Sequence, residues 1–392
     1  MNLTTNFPPA ARDLPILLCL SHLRWDSVFQ RPQHLMRHAA ETFRVVFWEE
    51  PVEVPPGPDL PRLATRLSPE GVLVVTPWQA RDGDVTAATA RQVQLLDGLL
   101  DALGGELGVV WYYTSMMLPL ASHLRPGRVV YDCMDELSAF QGASPQLLLQ
   151  ERRLLRHCDL VFTGGRSLHA AKQPLHSDAH LFPSSVDAGH FGQARSGLAE
   201  PDDQVALPRP RIGFHGVIDE RMDLDLLAGL AGLRPDWHFV MVGPIVKIDP
   251  GSVPRPRNIH WLGARPYAAL PAFLSGWDAG FMPFALNDAT RFISPTKTPE
   301  FLAAGVPVVS TPVADVVHDW GRDGLVEIAG TAEAMEAALA RVMARSAAPW
   351  LALVNRRLQR MSWTATWARM LGLIHGGEQM EARAAAATVQ HV

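Results

Sequence analysis

Short apolar runs alternate with stretches of helical spacing along almost the whole chain. Strand-length runs rich in Val, Leu, Ile and aromatics recur at PILLCLSH, RVVFWEEP, GVLVVTP, GVVWYYT, RVVYDC, DLVFTGG and HLFPSS. Between them, AATARQVQLLDGLLDAL and SPQLLLQERRLLRHC place apolar residues three and four apart, the signature of one helix face. Strands apolar on both faces and separated by helices predict a parallel sheet covered on both sides, hence an α/β fold. A polar, Pro-containing break over 193–210 interrupts the pattern, which restarts with RIGFHG, HFVMVG, NIHWLG, AGFMPF, VPVVST and LVEIAG. Two Rossmann-like domains are predicted, 14–192 and 211–361, joined by a 193–210 linker and facing each other across a cleft. The last periodic segment, 362–376, carries Trp363, Trp367, Met370, Leu371 and Ile374 at helical spacing, and a helix there is expected to cross back to the first domain. MNLTTNFPPAARDLP lacks the pattern of a signal peptide and reads as a loose tail, as does 381–392.

Composition narrows the classes. A chain of 392 residues can bury two cores, and 47% hydrophobic with 19% charged residues reads as globular. A net charge of -5 and the absence of a basic run argue against a nucleic-acid partner. Cys19, Cys133 and Cys158 are too widely spaced for a metal knuckle and read as reduced thiols of a cytosolic protein. Apolar runs fall far short of the ~20 residues that span a bilayer. Peripheral contact with the inner face of a membrane stays open, yet no stretch combines a strong apolar face with clustered Lys and Arg to indicate it.

The stretch SPTKTPEFLAAGVPVVSTP, Ser294 to Pro312, concentrates the candidate chemistry. Thr298 reads as an N-cap, Pro299 as the first helical residue and Glu300 as a first-turn acid, so the unpaired N–H groups of the helix start would form an anion site. Lys297 precedes that cap, and Ser294 and Thr296 add hydroxyls. Gly305 and Pro307 end the helix before a buried strand. Gly216, closing RIGFHG, would let a phosphate approach the backbone, or would simply serve a turn. Lys247 lies in the GPIVKIDP loop at another strand end.

In the first domain the loop SHLRWDSVFQRPQHL follows the first strand and offers His22, Trp25, Arg31 and His34. Arg31 could take an acceptor phosphate or carboxylate and Trp25 could stack on a sugar, with core packing as the competing reading for Trp25 and His34. YDCMDELSAF brings Asp132, Asp135 and Glu136 to a strand end, as a base or as loop caps. Asp135 is the first candidate base and His22 the second. The pair Asp223 and Asp225 opens an amphipathic helix, and no catalytic metal is expected. No GxGxxG follows the first strand, and neither a P-loop nor a nucleophile elbow occurs.

RPQHLMRHAAETFRVVFWEEP, HLFPSSVDAGHF, RIGFHGVIDERMDLDLL and SPTKTPEFLAAGVPVVSTP together resemble the two-domain GT-B glycosyltransferases of the glycosyl transferases group 1 and family 4-like class, including teichuronic acid and exopolysaccharide enzymes. The resemblance extends from Leu14 to about Ile374 and implies a donor site in the second domain and an acceptor site in the first. In that family two Glu residues flank seven others. Glu300 matches the second, which usually holds ribose hydroxyls, while Phe292 stands where the first would be. Many members carry an Arg just after the glycine matching Gly216 and a Lys a few places on, where Val217 and Met222 stand here; Arg221, as a substitute, and Lys297 are the candidate cations for the diphosphate, and the resemblance implies the backbone around Ala264 to Tyr267 as the place for the base.

The implied activity is metal-independent transfer from a nucleoside diphosphate sugar, UDP before GDP, to a hydroxyl of an envelope polysaccharide, exopolysaccharide or lipid-linked glycan. Retention of configuration would let the departing phosphate take the acceptor proton. Two alternatives remain open at this stage: a GT-B nucleotide-sugar epimerase, and a non-catalytic protein that binds a nucleotide or glycan, suggested by Phe292.

Overall fold

A computed structural model describes residues 7–81 and 83–389, with side chains through Gly376. Residues 1–6 of the N-terminal tail and 390–392 of the C-terminal one lie outside the described residues, and 381–389 continue the last helix. The first sheet contains β1 (Ile16–Ser21), β2 (Arg44–Glu49), β3 (Val52–Val54), β4 (Arg62–Leu67), β5 (Leu73–Ala80), β6 (Leu107–Tyr112), β7 (Arg128–Cys133), β8 (Leu160–Thr163) and β9 (Ala179–Leu181). Their order is β3-β5-β2-β1-β6-β7-β8-β9, parallel throughout except for β4, which pairs antiparallel with β5. The second sheet contains β10 (Arg211–His215), β11 (His238–Val242), β12 (Ile259–Gly263), β13 (Ala279–Met282), β14 (Val308–Ser310) and β15 (Glu327–Ile328) in the order β12-β11-β10-β13-β14-β15.

The strands are buried on both faces because side chains alternate across a pleat and helices cover each side. Ile16, Leu18 and Leu20 of β1 join one core, and Leu17 and Cys19 the other. The C-terminal helix completes the second of these cores: Trp363, Trp367, Met370 and Ile374 pack with Leu17, Trp111 and Phe162 of the first sheet. Burying these side chains at about 1.5–3 kcal/mol each returns the chain's end to its first domain. Cys19, Cys133 and Cys158 are buried free thiols.

Strand order reverses between β1 and β6 in one sheet and between β10 and β13 in the other. Crevices open at the carboxyl ends of strands at such switch points. Gly216, the residue after β10, stands at one of them.

Candidate functional site between the two domains

The helix Lys297–Ala304 follows an irregular loop after β13, and its start departs from the sequence reading. Thr296 is the N-cap residue, already in helical backbone and without a side-chain cap bond. Thr298 is not the cap: it is fully buried, and its hydroxyl donates to Met282 Sδ at 3.6 Å. The helix begins two residues earlier than Thr-Pro suggests, with Thr298 and Pro299 buried inside its first turn. Gly305 closes the helix in the left-handed region, at φ 78°, where glycine carries no Cβ penalty.

Lys297 folds back over the end of β10. A Cβ on Gly216 would lie 2.5 Å from Lys297 Cε, the far end of a flexible side chain that could yield, so it is the backbone, at φ 132°, that favours glycine here. The Lys297 ammonium sits 3.3 Å from Thr296 Oγ1. Burial lowers its pKa, opposed by Glu300. Burial likewise pushes Glu300 up to about 7, against the pull of Lys297 and the Thr296 hydroxyl. Beside it, His215 Nε2 lies 3.5 Å from Glu300 Oε2 and has no hydrogen-bond partner. Burial and the nearby Lys297 hold His215 neutral, so its N–H is available to a carboxylate without a second charge.

These groups border a cavity of about 670 Å³ between the domains. The second domain contributes His215, Gly216, Lys297, Glu300 and the strip Ala264 to Tyr267, and the first contributes Trp25, Phe29, Arg66 and Glu70. A smaller space of about 100 Å³ adjoins it through Val28, Thr296 and Lys297 and is lined by Asp135, Arg221 and Ser294. Asp135 and Lys297 thus line the same small space. Burial raises its pKa, and Arg221 and Lys297 oppose the rise.

Other candidates are committed elsewhere. Arg31 is 1% exposed and grips Asp132 through two nitrogens, Nε–Oδ2 at 2.9 Å and Nη2–Oδ1 at 2.7 Å, while Nη1 donates to the Phe182 carbonyl at 2.7 Å. Arg31 borders the smaller space, but these bonds engage its guanidinium within the first domain. Asp132 is removed as a base by the same pair, and Glu136 by Lys172 at 2.5 Å. His34 is wedged between rings, stacked on Trp363 at 4.7 Å, and burial pushes it down to about 3. It borders neither space and is a neutral packing group rather than an acceptor contact. Trp25 is 6% exposed, meets Phe47 edge-on at 5.0 Å and donates its backbone N–H to Glu49 at 2.8 Å, so packing takes most of its surface and one edge reaches the cavity.

His22 borders neither space. Burial, then Lys247, pushes its pKa down to about 4, leaving it neutral. Lys247 is exposed, at φ 60°, with its ammonium 5.2 Å over the Phe140 ring, and also borders neither space. Arg221 holds Asp219 at 2.7 Å and covers the same ring at 5.3 Å, so its charge is already paired before any ligand arrives. Phe292 packs against the core of the first domain. Asp223 caps the helix that follows it, accepting from Leu226 N at 2.8 Å.

Sequence reading passed over His215, Tyr267's side chain and the β4–β5 hairpin. Tyr267 lines the cavity, and its buried hydroxyl has no partner. A polar, ionisable residue ending the apolar run RIGFHG was the available signal for His215. The hairpin carries charges on an exposed edge and has no such signal.

Residues 209–345 match the family model described as glycosyl transferases group 1. A stretch of 237 residues is 29% identical to a putative teichuronic acid biosynthesis glycosyltransferase, TuaH, of Bacillus subtilis (strain 168), covering 55% of this chain and 59% of that protein. Among solved structures, sucrose-phosphate synthase from Thermosynechococcus elongatus superposes with a TM-score of 0.69 at 16% identity, over 94% of this chain and 100% of that one. An E. coli structure, trehalose-6-phosphate bound with UDP-2-fluoro glucose, gives 0.68 at 12% identity, over 92% and 99%. The α,α-trehalose-phosphate synthase (UDP-forming) of Burkholderia xenovorans, in complex with glucose-6-phosphate, gives 0.66 at 13%, over 92% and 100%. The chain therefore has the GT-B fold, and residues 209–345 of its second domain resemble the glycosyl transferases group 1 family.

Proposed function

We propose that this protein transfers a sugar from a nucleoside diphosphate donor, UDP-linked in the first instance, to a hydroxyl of an envelope polysaccharide, exopolysaccharide or lipid-linked glycan. One observation carries the reading: an ammonium, Lys297, and a carboxylate, Glu300, stand together at a helix start in an interdomain cavity of about 670 Å³. The Lys297 ammonium and Arg221 neutralise the diphosphate, and Ser294 and Thr296 supply hydroxyls to it. Glu300 accepts the two ribose hydroxyls, and the Ala264 to Tyr267 strip receives the base.

In the transfer, the acceptor oxygen bonds to the anomeric carbon as the bond from that carbon to the β-phosphate oxygen breaks. With retention, the departing phosphate takes the acceptor proton, and Asp135 positions the acceptor hydroxyl. The two domains exclude water that would otherwise hydrolyse the donor. A peripheral position at the inner membrane face suits a lipid-linked acceptor.

Thermal unfolding with UDP and GDP tests the donor site. A nucleotide at a hundred times its Kd adds about 2.7 kcal/mol of stability. A shift with UDP that Glu300→Ala abolishes is the expected result. No shift with either nucleotide, or one indifferent to Glu300, overturns the reading.

A further inference from the structure

We infer that the outer face of the Gln146–His157 helix is a docking surface for an anionic lipid bilayer. The helix buries Leu154 and Leu155, and turns Glu151 inward, where it accepts from the Tyr131 hydroxyl at 2.8 Å and from Lys172 at 2.7 Å. Its outer face is unlike that of a solvated helix. Leu148 and Leu149 are 51% and 50% exposed, and Arg152, Arg153 and Arg156 are exposed beside them. At about 100° per residue these five fall within an arc of roughly 140°, with no acidic residue among them. The inward turn of Glu151 leaves the arc uniformly basic.

Leucines in the first turn with arginines over the following two turns match a bilayer surface, where apolar side chains enter the acyl boundary and guanidinium groups meet lipid phosphates. The arginine stems can cover apolar surface while their heads stay with the headgroups. An overall charge of -5 offers no general attraction to such a surface, so the local cluster must supply it. No single helix among the described residues is long and apolar enough to cross a membrane, which fits contact from one side. The face was missed in the sequence because Leu148 and Leu149 sit in the run QLLLQERRLL and read as part of the buried stripe.

The loop leading into this helix carries Asp135, and its Gln141 N–H donates to Glu220 Oε1 of the second domain at 3.0 Å. The loop is therefore tied to the second domain five residues before the helix begins. The docking itself does not depend on what the cleft binds.

Co-sedimentation of the intact protein with vesicles of phosphatidylcholine, with and without phosphatidylglycerol, tests the surface. The protein is expected to pellet with the anionic vesicles alone and to be released by high salt. Arg152→Glu with Arg153→Glu is expected to lower the partition at least about tenfold, given roughly 1 kcal/mol per basic residue near a charged leaflet. Leu148→Ser with Leu149→Ser is expected to weaken binding while leaving its salt dependence in place. Arg322→Glu, an exposed charge reversal in the second domain, serves as the control and should leave binding unchanged. Absence of pelleting, equal pelleting with neutral vesicles, or salt-insensitive pelleting of the native chain overturns the proposal without recourse to any variant. So does undiminished binding by well-folded helix variants, judged by circular dichroism.

Discussion

The two walls of the cleft treat charge in opposite ways. On the first domain's side, the charged residues at strand ends are mostly answered within the domain: Arg31 by Asp132, Lys172 by Glu136 and Glu151, and Arg24 by Glu49. On the second domain's side, Arg221 and Arg265 are answered by Asp219 and Asp203, but Lys297 and Glu300 face a cavity with a neutral, unpartnered His215 beside them. A charge that is buried and paired fixes a backbone, whereas one that is desolvated and under-paired retains capacity for a ligand. The first wall is thus mainly paired charge, with Asp135 and the unpartnered Glu70 Oε2 as exceptions, and the second holds the under-paired Lys297 and Glu300.

Breaking a pair on each wall separates these roles. Arg31→Met leaves the Asp132 carboxylate buried without its partner, and a loss of about 3–5 kcal/mol in unfolding free energy is expected in urea titration. Adding Asp132→Leu should recover much of that loss, since the orphaned charge is removed. On the other wall, Lys297→Met should cost donor turnover about 10²–10³-fold, or about 2.7–4 kcal/mol of transition-state stabilisation, with no loss of melting temperature. Steady-state kinetics and calorimetry on the same two proteins check the contrast. Equal losses of stability in both would erase it.

Glu300 sharpens the comparison through pH. Its folded pKa of about 7 lies above the ordinary carboxyl value of 4.5, so between those two the folded state holds a proton that the unfolded chain has released. Stability from this group is therefore complete below about pH 4.5 and is lost as pH rises toward 7. Glu300→Gln should raise the melting temperature at pH 8 and leave it nearly unchanged at pH 4. Nucleotide affinity should run the other way, increasing in the native protein as pH passes through about 7, because the ionised carboxylate accepts both ribose hydroxyls. In Glu300→Gln that pH dependence should vanish. Melting curves and calorimetric titrations with UDP across this range read both trends.

Fold and site were legible in the sequence to different depths. Continuous apolar runs such as PILLCL and RVVFWE could only be strands buried on both faces, and the tryptophans of the last helix required an apolar partner surface. The β4 strand escaped because RLATRL lies at an exposed edge, where side chains need not be apolar. At the site, Glu300, Lys297 and Gly216 were visible because each is demanded by local chemistry at a helix start or strand end. Thr298 misled because a capping residue and a buried threonine have the same letter, and only tertiary packing distinguishes them. Arg31 misled in the same way: its partner Asp132 is distant in sequence, and nothing local announces that the pair will close.

The smallest expected effect concerns Lys247, the cation of the second wall that is exposed and borders neither cavity space. Its ammonium lies over Phe140, at 5.2 Å, in a contact worth about 0.5–1 kcal/mol at an exposed position. The backbone there, at φ 60°, is the left-handed conformation that costs a side chain-bearing residue roughly 1–2 kcal/mol. Lys247→Gly removes both terms, so the lost ring contact and the relieved backbone should nearly cancel, and the melting temperature should change little. UDP affinity should change less than about twofold, within the small range typical of exposed charges. A tenfold loss of affinity would place Lys247 with Lys297 in the site and would extend the under-paired charge of the second wall beyond the helix start.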